Sequence, residues 1–387
     1  MKSYNFTPGP TPVTAEVTAA MSRPILTHRS AEFSAMLREV SDGLRYLFQT
    51  KNDVLTLTSS GSGAMEATIV NLLSPGDKVL AIVSGKFGAR WVELCDVYGV
   101  DVIAIDVPWG EAVNIDVVAN SLQTNDNIKA ILSTHSETST GVLHDIEALG
   151  ALARERDVLL IVDAVSGLGA NDLRTDAWGV DVVVTGSQRG LMLPPGLAFV
   201  SVSQRAWRAS ETSRNPRYYF SFDRAKSSLE KGLTPYTPAV SLLMGLAEIL
   251  HEIQRIGLET IFAHHAVMAG ATRAATRAMG LELFAKTPSN VLTSVKMPEG
   301  IDGGELLKHM KQCYGVTIAN GMEQYKGKTI RIAHLGYAVD AFDMIIAVSA
   351  LERGLAFFGH NFELGSGLSA IQQFLHMSET IDRASAG

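Results

Sequence analysis

The sequence predicts an α/β protein, with a large domain on a mostly parallel sheet followed by a smaller C-terminal α+β domain. Three observations carry this. Continuous apolar runs such as "VLLIVD" and "VVVTG" alternate with helical patterns through the first two hundred residues, as strands covered on both faces do. Each of these runs ends in a polar or Gly/Ser-rich loop. From about residue 240 the pattern changes to long helical stretches separated by short strands.

The elements follow in order. Residues 1–25 hold Pro8, Pro10, Pro12 and Pro24 and little helical periodicity, and read as an extended N-terminal arm. Phe33, Met36, Leu37, Val40, Leu44 and Leu47 recur at helical spacing. "DVLTLTSSGSGAMEATIVNLL" reads as strand, Gly/Ser turn and helix. "DKVLAIVS" is a strand, "GARWVELCDVYGV" a helix and "DVIAIDV" a strand. "IKAILSTHSETST" runs from strand into loop, and "DIEALGALARERD" is a helix. "VLLIVDAVSG", "GVDVVVTGSQ" and "LAFVSVS" complete the strands of the large domain, taken as residues 26–260. The smaller domain spans 261–375, with strands in "SNVLTSVKMP", "VTIANG" and "TIRIAHLG", and residues 376–387 form a polar tail.

Composition excludes several classes. A net charge of -7 and no basic run argue against a nucleic-acid partner. No apolar stretch is long enough to span a bilayer. Two cysteines, Cys95 and Cys313, make no disulfide framework, and no metal site is expected. A cytoplasmic protein with a small-molecule partner is the expectation.

In such sheets ligands gather at the carboxyl ends of the strands. Ser60 to Ala64 lie where a strand hands over to a helix, either as an anion cup made by backbone N–H groups or as an ordinary capped turn. Asp163 ends an apolar run, where a carboxylate serves as the partner of a buried cation or ring nitrogen, or as a helix cap. Thr138 and Ser139 follow another strand end and could donate hydrogen bonds to a ligand, and His135 could be catalytic or a satisfied loop residue. Phe87 could stack on a planar ligand or pack the core. Arg331, inside a short apolar strand, suits a carboxylate or phosphate, or an interface ion pair. Arg189 is delivered by "TGSQRGLMLPPG" to the same end of the sheet.

Together "SSGSGAMEA", "THSETSTGVLHDI", "LLIVDAVSGLG", "TGSQRGLMLPPGLAFV", "LTPYTPAVSLL" and "IRIAHLG" closely resemble, in this order, class V aminotransferases of the alanine–glyoxylate and serine–glyoxylate type. That resemblance implies the fold-type I architecture of enzymes dependent on pyridoxal 5′-phosphate (PLP). It implies a homodimer that moves an amino group from serine or alanine to glyoxylate or a similar 2-oxo acid. Residue by residue, it implies that Ser62, Gly63, Ala64 and Gln188 hold the phosphate, that Phe87 stacks on the ring and that Thr138 donates to the ring hydroxyl. Asp163 keeps the ring nitrogen protonated, Arg331 clamps the substrate carboxylate, and Tyr236 and Thr237 reach the neighbouring subunit's phosphate.

One position departs from the family pattern. The family has a lysine directly after Ser-Gln, where this chain has Arg189. The lysine's work is to form a Schiff base and to shuttle a proton. A guanidinium, with a pKa above about 12, does neither readily. The resemblance therefore implies PLP held without a covalent link to the chain, or carried as the external aldimine or pyridoxamine phosphate, with transamination impaired or altered. A lysine-independent enzyme on the same scaffold and a non-catalytic ligand-binding protein are the other readings. A cysteine desulfurase is disfavoured, because Cys313 ends an amphipathic helix and Cys95 takes a core position.

Overall fold

A computed structural model describes the backbone of residues 2–385 and side chains through Ser378. A short strand in the arm, β1 (Tyr4–Phe6), comes first. Then follow β2 (Asp53–Leu57), β3 (Lys78–Val83), β4 (Asp101–Asp106) and β5 (Ile128–Thr134). A small hairpin is formed by β6 (Ser136–Glu137) and β7 (Val142–Leu143), followed by β8 (Leu159–Asp163), β9 (Val182–Gly186) and β10 (Ala198–Val202).

Seven strands form one sheet in the order β2-β10-β9-β8-β5-β3-β4. The pairs from β9 to β4 are parallel, while β10 runs antiparallel to both β9 and β2. Alternate residues of each strand point to opposite faces, and both faces are buried. Leu160, Val162, Val183 and Phe199 join Phe33, Leu37 and Leu44 on one side. Leu159, Ile161, Val182 and Val184 join Ile69 and Trp91 on the other. This two-sided burial is why the strands read as unbroken apolar runs.

The second sheet contains β11 (Leu292–Lys296), β12 (Val316–Asn320) and β13 (Thr329–Ala333), in the order β1-β12-β13-β11. The proline-rich arm therefore does more than extend: Tyr4–Phe6 pairs in parallel with Val316–Ile318 at the edge of this sheet. The long helical stretch after residue 240 is two helices, Val240–Ile256 and Leu258–Ala278, broken at Gly257, whose φ of 89° suits glycine. The final helix, Ser366–Ser385, runs on through the polar tail as far as the backbone is described. Ala386 and Gly387 lie outside the described residues.

Register places the site. Thr134 of β5 pairs with Asp163 of β8, and Asp163 with Val184 of β9. The ends of β5 and β8 are thus level, β9 runs on to Gly186, and the loops after all three converge beside the turn that follows β2.

Candidate functional site

A cavity of about 70 Å³ lies at this point. Its lining includes Ser62, Phe87, Thr138, Asp163, Gln188 and Arg189, six of the residues singled out from the sequence. Larger grooves exist, among them one of about 840 Å³ beside Arg45, Tyr46 and Arg174. That groove lies on the open surface, and Arg174 is already paired with Asp172.

Asp163 forms the buried end of the cavity, only 3% exposed. One carboxylate oxygen accepts from the Val165 N–H at 2.8 Å. Burial pushes its pKa up to about 6, opposed by that hydrogen bond and by the charges of Arg90 and Arg189, while Glu137 adds to the rise. In the cavity wall the hydroxyls of Thr138 and Ser166 bond to each other.

On the β2 side, the helix Gly61–Leu72 opens into the cavity, and its N-cap Ser60 makes no side-chain cap. Gly61 and Ser62 line the cavity, whereas Gly63 and Ala64 do not. Gly63 is needed for packing: a Cβ there would overlap the Ser59 hydroxyl. The Ser62 hydroxyl accepts from Arg90 at 3.0 Å. The Arg90 guanidinium also sits 5.0 Å from the Phe87 ring centroid, within cation–π range.

The turn after β9 presents Gln188 and Arg189. Ser187 holds it closed: its hydroxyl donates to Pro194 O at 2.7 Å and accepts from Leu197 N at 3.2 Å. Gly190 lets the turn approach the Leu168 carbonyl, which a Cβ would strike. Gln188 Oε1 and Arg189 Nε are buried without partners. Another Arg189 nitrogen donates to Pro8 O, and Gly9 lies directly against the guanidinium. Thr11 closes the contact, its N–H donating to Gln188 O and its hydroxyl to Arg189 O. Burial lowers the guanidinium only to about 10, so it stays protonated near neutrality.

Arg331 lies outside the cavity lining. It projects from β13 and donates to Asn320 O and Thr138 O, both at 2.8 Å. Tyr236 and Thr237 line a separate cavity of about 30 Å³ with Thr56, Thr58 and Tyr219. The Tyr236 ring stacks on that of Tyr219 at 4.9 Å, beside the exposed Tyr218. His135 is buried and its pKa is lowered by burial to about 4. It is absent from the cavity lining.

Sequence reasoning missed Arg90, Ser166 and Glu137. Arg90 lies one helical turn beyond Phe87, a spacing that could have found it. Glu137 is held locally by Ser139, but nothing in the sequence connects it to the Phe87 and Gly88 N–H groups some fifty residues away.

The site can be tested against a ligand that carries a phosphate and a protonated ring nitrogen. An uncapped helix N-terminus beside Arg90 suits the first, and a buried carboxylate without an ion-pair partner among the described residues suits the second. These features fit PLP or pyridoxamine phosphate bound without a covalent link. A covalent anchor does not fit, because no lysine lines the cavity.

The family profile described as Aminotransferase class-V matches residues 3–333. The chain is 43% identical over 369 residues to the "Soluble hydrogenase 42 kDa subunit" of Anabaena cylindrica, covering 94% of this chain and 96% of that one. It is 40% identical over 383 residues to an L-aspartate–glyoxylate aminotransferase of Paracoccus denitrificans, covering 96% of each. The crystal structure of ureidoglycine–glyoxylate aminotransferase from Bacillus subtilis superposes with a TM-score of 0.93 at 29% identity, covering 97% of this chain and 98% of that one.

Proposed function

This chain belongs to the class-V aminotransferase family, and from that premise we propose that it transfers the amino group of a small amino acid, serine or alanine, to glyoxylate or a similar 2-oxo acid, with catalysis impaired or altered by Arg189. The family's cofactor is PLP. When bound, PLP supplies a ring that withdraws electrons from the substrate's Cα.

The observation that carries this reading is the buried Asp163 at the strand end, facing the same cavity as the open helix N-terminus. In this reading Ser62 and Gln188, which line the cavity, hold the phosphate, with Gly63 and Ala64 behind them in the same turn and Arg90 orienting the Ser62 hydroxyl. Phe87 covers one ring face and Thr138 donates to the ring hydroxyl. Asp163 pairs with the ring N–H, and Arg331 receives the substrate carboxylate. Arg189 supplies charge but no free amine, so the chain offers no ready base for the proton at Cα. The same reading makes the protein a cytoplasmic homodimer of two-domain subunits. The exposed Tyr218 beside Tyr236 supports a dimer face there.

A second reading, a lysine-independent reaction on this scaffold, is favoured by one observation. Arg189 is built into the arm through Pro8, Gly9 and Thr11.

The test is to mix purified protein with PLP, reduce with borohydride and weigh the intact chain. The native protein is expected to gain no covalent adduct. Arg189→Lys is expected to gain one and to transfer amino groups from serine or alanine to glyoxylate. An adduct on the native chain overturns the role given to Arg189. An adduct on Arg189→Lys without amino transfer from any donor overturns the aminotransferase reading.

A further inference from the structure

Glu137 is fully buried, yet it is not in the cavity lining. Its carboxylate faces four donors. Oε2 accepts from the N–H groups of Phe87 and Gly88 at 3.1 and 3.0 Å. Oε1 accepts from the Ser139 N–H at 3.0 Å and the Ser139 hydroxyl at 2.6 Å. The Ser139 hydroxyl in turn accepts from the Lys86 N–H at 3.1 Å.

Lys86, Phe87 and Gly88 are the first three residues of the helix Lys86–Val97. The first N–H groups of a helix have no partner within it. Gly85, at the N-cap, has no side chain to supply one. A side chain could not be added there, because its Cβ would run into Ser139 Oγ and the Glu137 side chain. The turn at 137–139 therefore caps this helix from outside. Burial raises the Glu137 pKa, and the four donors oppose that rise.

The two segments joined this way both face the cavity. The helix brings Phe87 and Arg90, and the turn brings Thr138. We infer that Glu137 is a positioning residue, which sets the height of the Phe87 ring at the cavity by capping its helix. This rests on the reading of Phe87 as the residue that stacks on a ring ligand.

The test is a double-mutant cycle read by binding of pyridoxamine 5′-phosphate, followed by calorimetry on the full chain, with native thermal unfolding confirmed for each variant. Phe87→Ala is expected to weaken binding by about 3- to 10-fold, the value of an aromatic contact. Glu137→Gln keeps one acceptor oxygen but turns an amide donor toward another donor, so it is expected to weaken binding by a similar factor. In the Phe87→Ala background Glu137→Gln is expected to add less than about twofold, because the residue through which it acts is already gone. Its effect on the unfolding temperature is expected to be the same in both backgrounds. If Glu137→Gln does not fold, Ser139→Ala replaces it in the cycle, removing the link to Lys86 while leaving the carboxylate. Equal weakening in both backgrounds, or none in either, overturns the inference alone. Unchanged binding by Phe87→Ala overturns the stacking reading beneath it.

Discussion

The guanidinium of Arg331, in the small sheet, donates to the main-chain carbonyl of Thr138, in the loop of the large sheet that lines the cavity. It also holds Asn320 O of the neighbouring strand. A single side chain thus ties β12, β13 and the Thr138 loop together, using the fixed fork of its donors. Arg331→Lys keeps the charge and loses the fork. It is expected to weaken the apparent affinity for glyoxylate by about tenfold or more, the scale of one lost charge-assisted hydrogen bond. A titration of the acceptor in the Arg189→Lys background measures this. An unchanged affinity would remove Arg331 from the substrate site.

Asp163 gives a prediction with opposite signs for stability and binding. Its pKa is raised from 3.8 to about 6 in the folded chain. The folded state therefore holds this proton more tightly than the unfolded state. Above pH 6 the ionised group lowers stability, and the penalty is relieved as pH falls from about 6 towards 3.8. Asp163→Asn keeps an acceptor for Val165 N–H without the charge. In the ligand-free protein at pH 7.5 it is expected to raise stability by about 3 kcal/mol. It is also expected to weaken pyridoxamine 5′-phosphate binding. Urea unfolding and calorimetry check the two halves, and a variant that is both less stable and equally avid would contradict the assignment.

His144 provides a pH dependence of the other sign. It is buried between the Ser84 hydroxyl at 2.7 Å and the Val113 N–H at 3.2 Å. Accepting from Val113 keeps one ring nitrogen unprotonated, and burial lowers its pKa from 6.5 to about 4. Its contribution to stability is present above about pH 6.5 and is lost as pH falls towards 4. His144→Gln is therefore expected to destabilise most at pH 7.5, with the difference from the native chain shrinking steadily by pH 4.5. Urea unfolding at several pH values measures it. A difference independent of pH would mean that the fold does not lower the pKa of this histidine.

Gly9 meets Arg189 at close range. Its φ is 155°, and a Cβ would sit 2.7 Å from Arg189 Nε. Gly9→Ala is expected to cost about 1–3 kcal/mol locally and to loosen the arm rather than the core. Limited proteolysis followed by mass spectrometry should show faster cleavage before Thr14, with the global unfolding temperature little changed. Equal cleavage rates would show that the arm does not depend on this contact.

How much of this was legible depended on how locally each feature is determined. The β8 and β9 strands, Asp163 and the "TGSQRGLMLPPG" turn were readable because apolar runs and turn residues are local signals. The helix that carries Phe87 begins at Lys86, earlier than the pattern from Gly88 suggested. Its caps come from Glu137 and Ser139, which no local rule connects to it. Pairing direction was equally hidden. A strand buried on both faces looks alike whether parallel or not, so β10 gave no sign of its reversal. Tyr4–Phe6 is too short to read as a strand without the distant β12 that pairs with it.

That short strand has a mechanical consequence. The first residues are stitched to the edge of the small sheet, and within a few residues Pro8 is gripped by Arg189 on the large one. The arm is thus a taut strap between the two halves. Any swing of the small sheet away from the large one must either stretch it or break the grip of Arg189. Trimming the chain before Thr11 cuts the strap while leaving every strand of the large sheet in place.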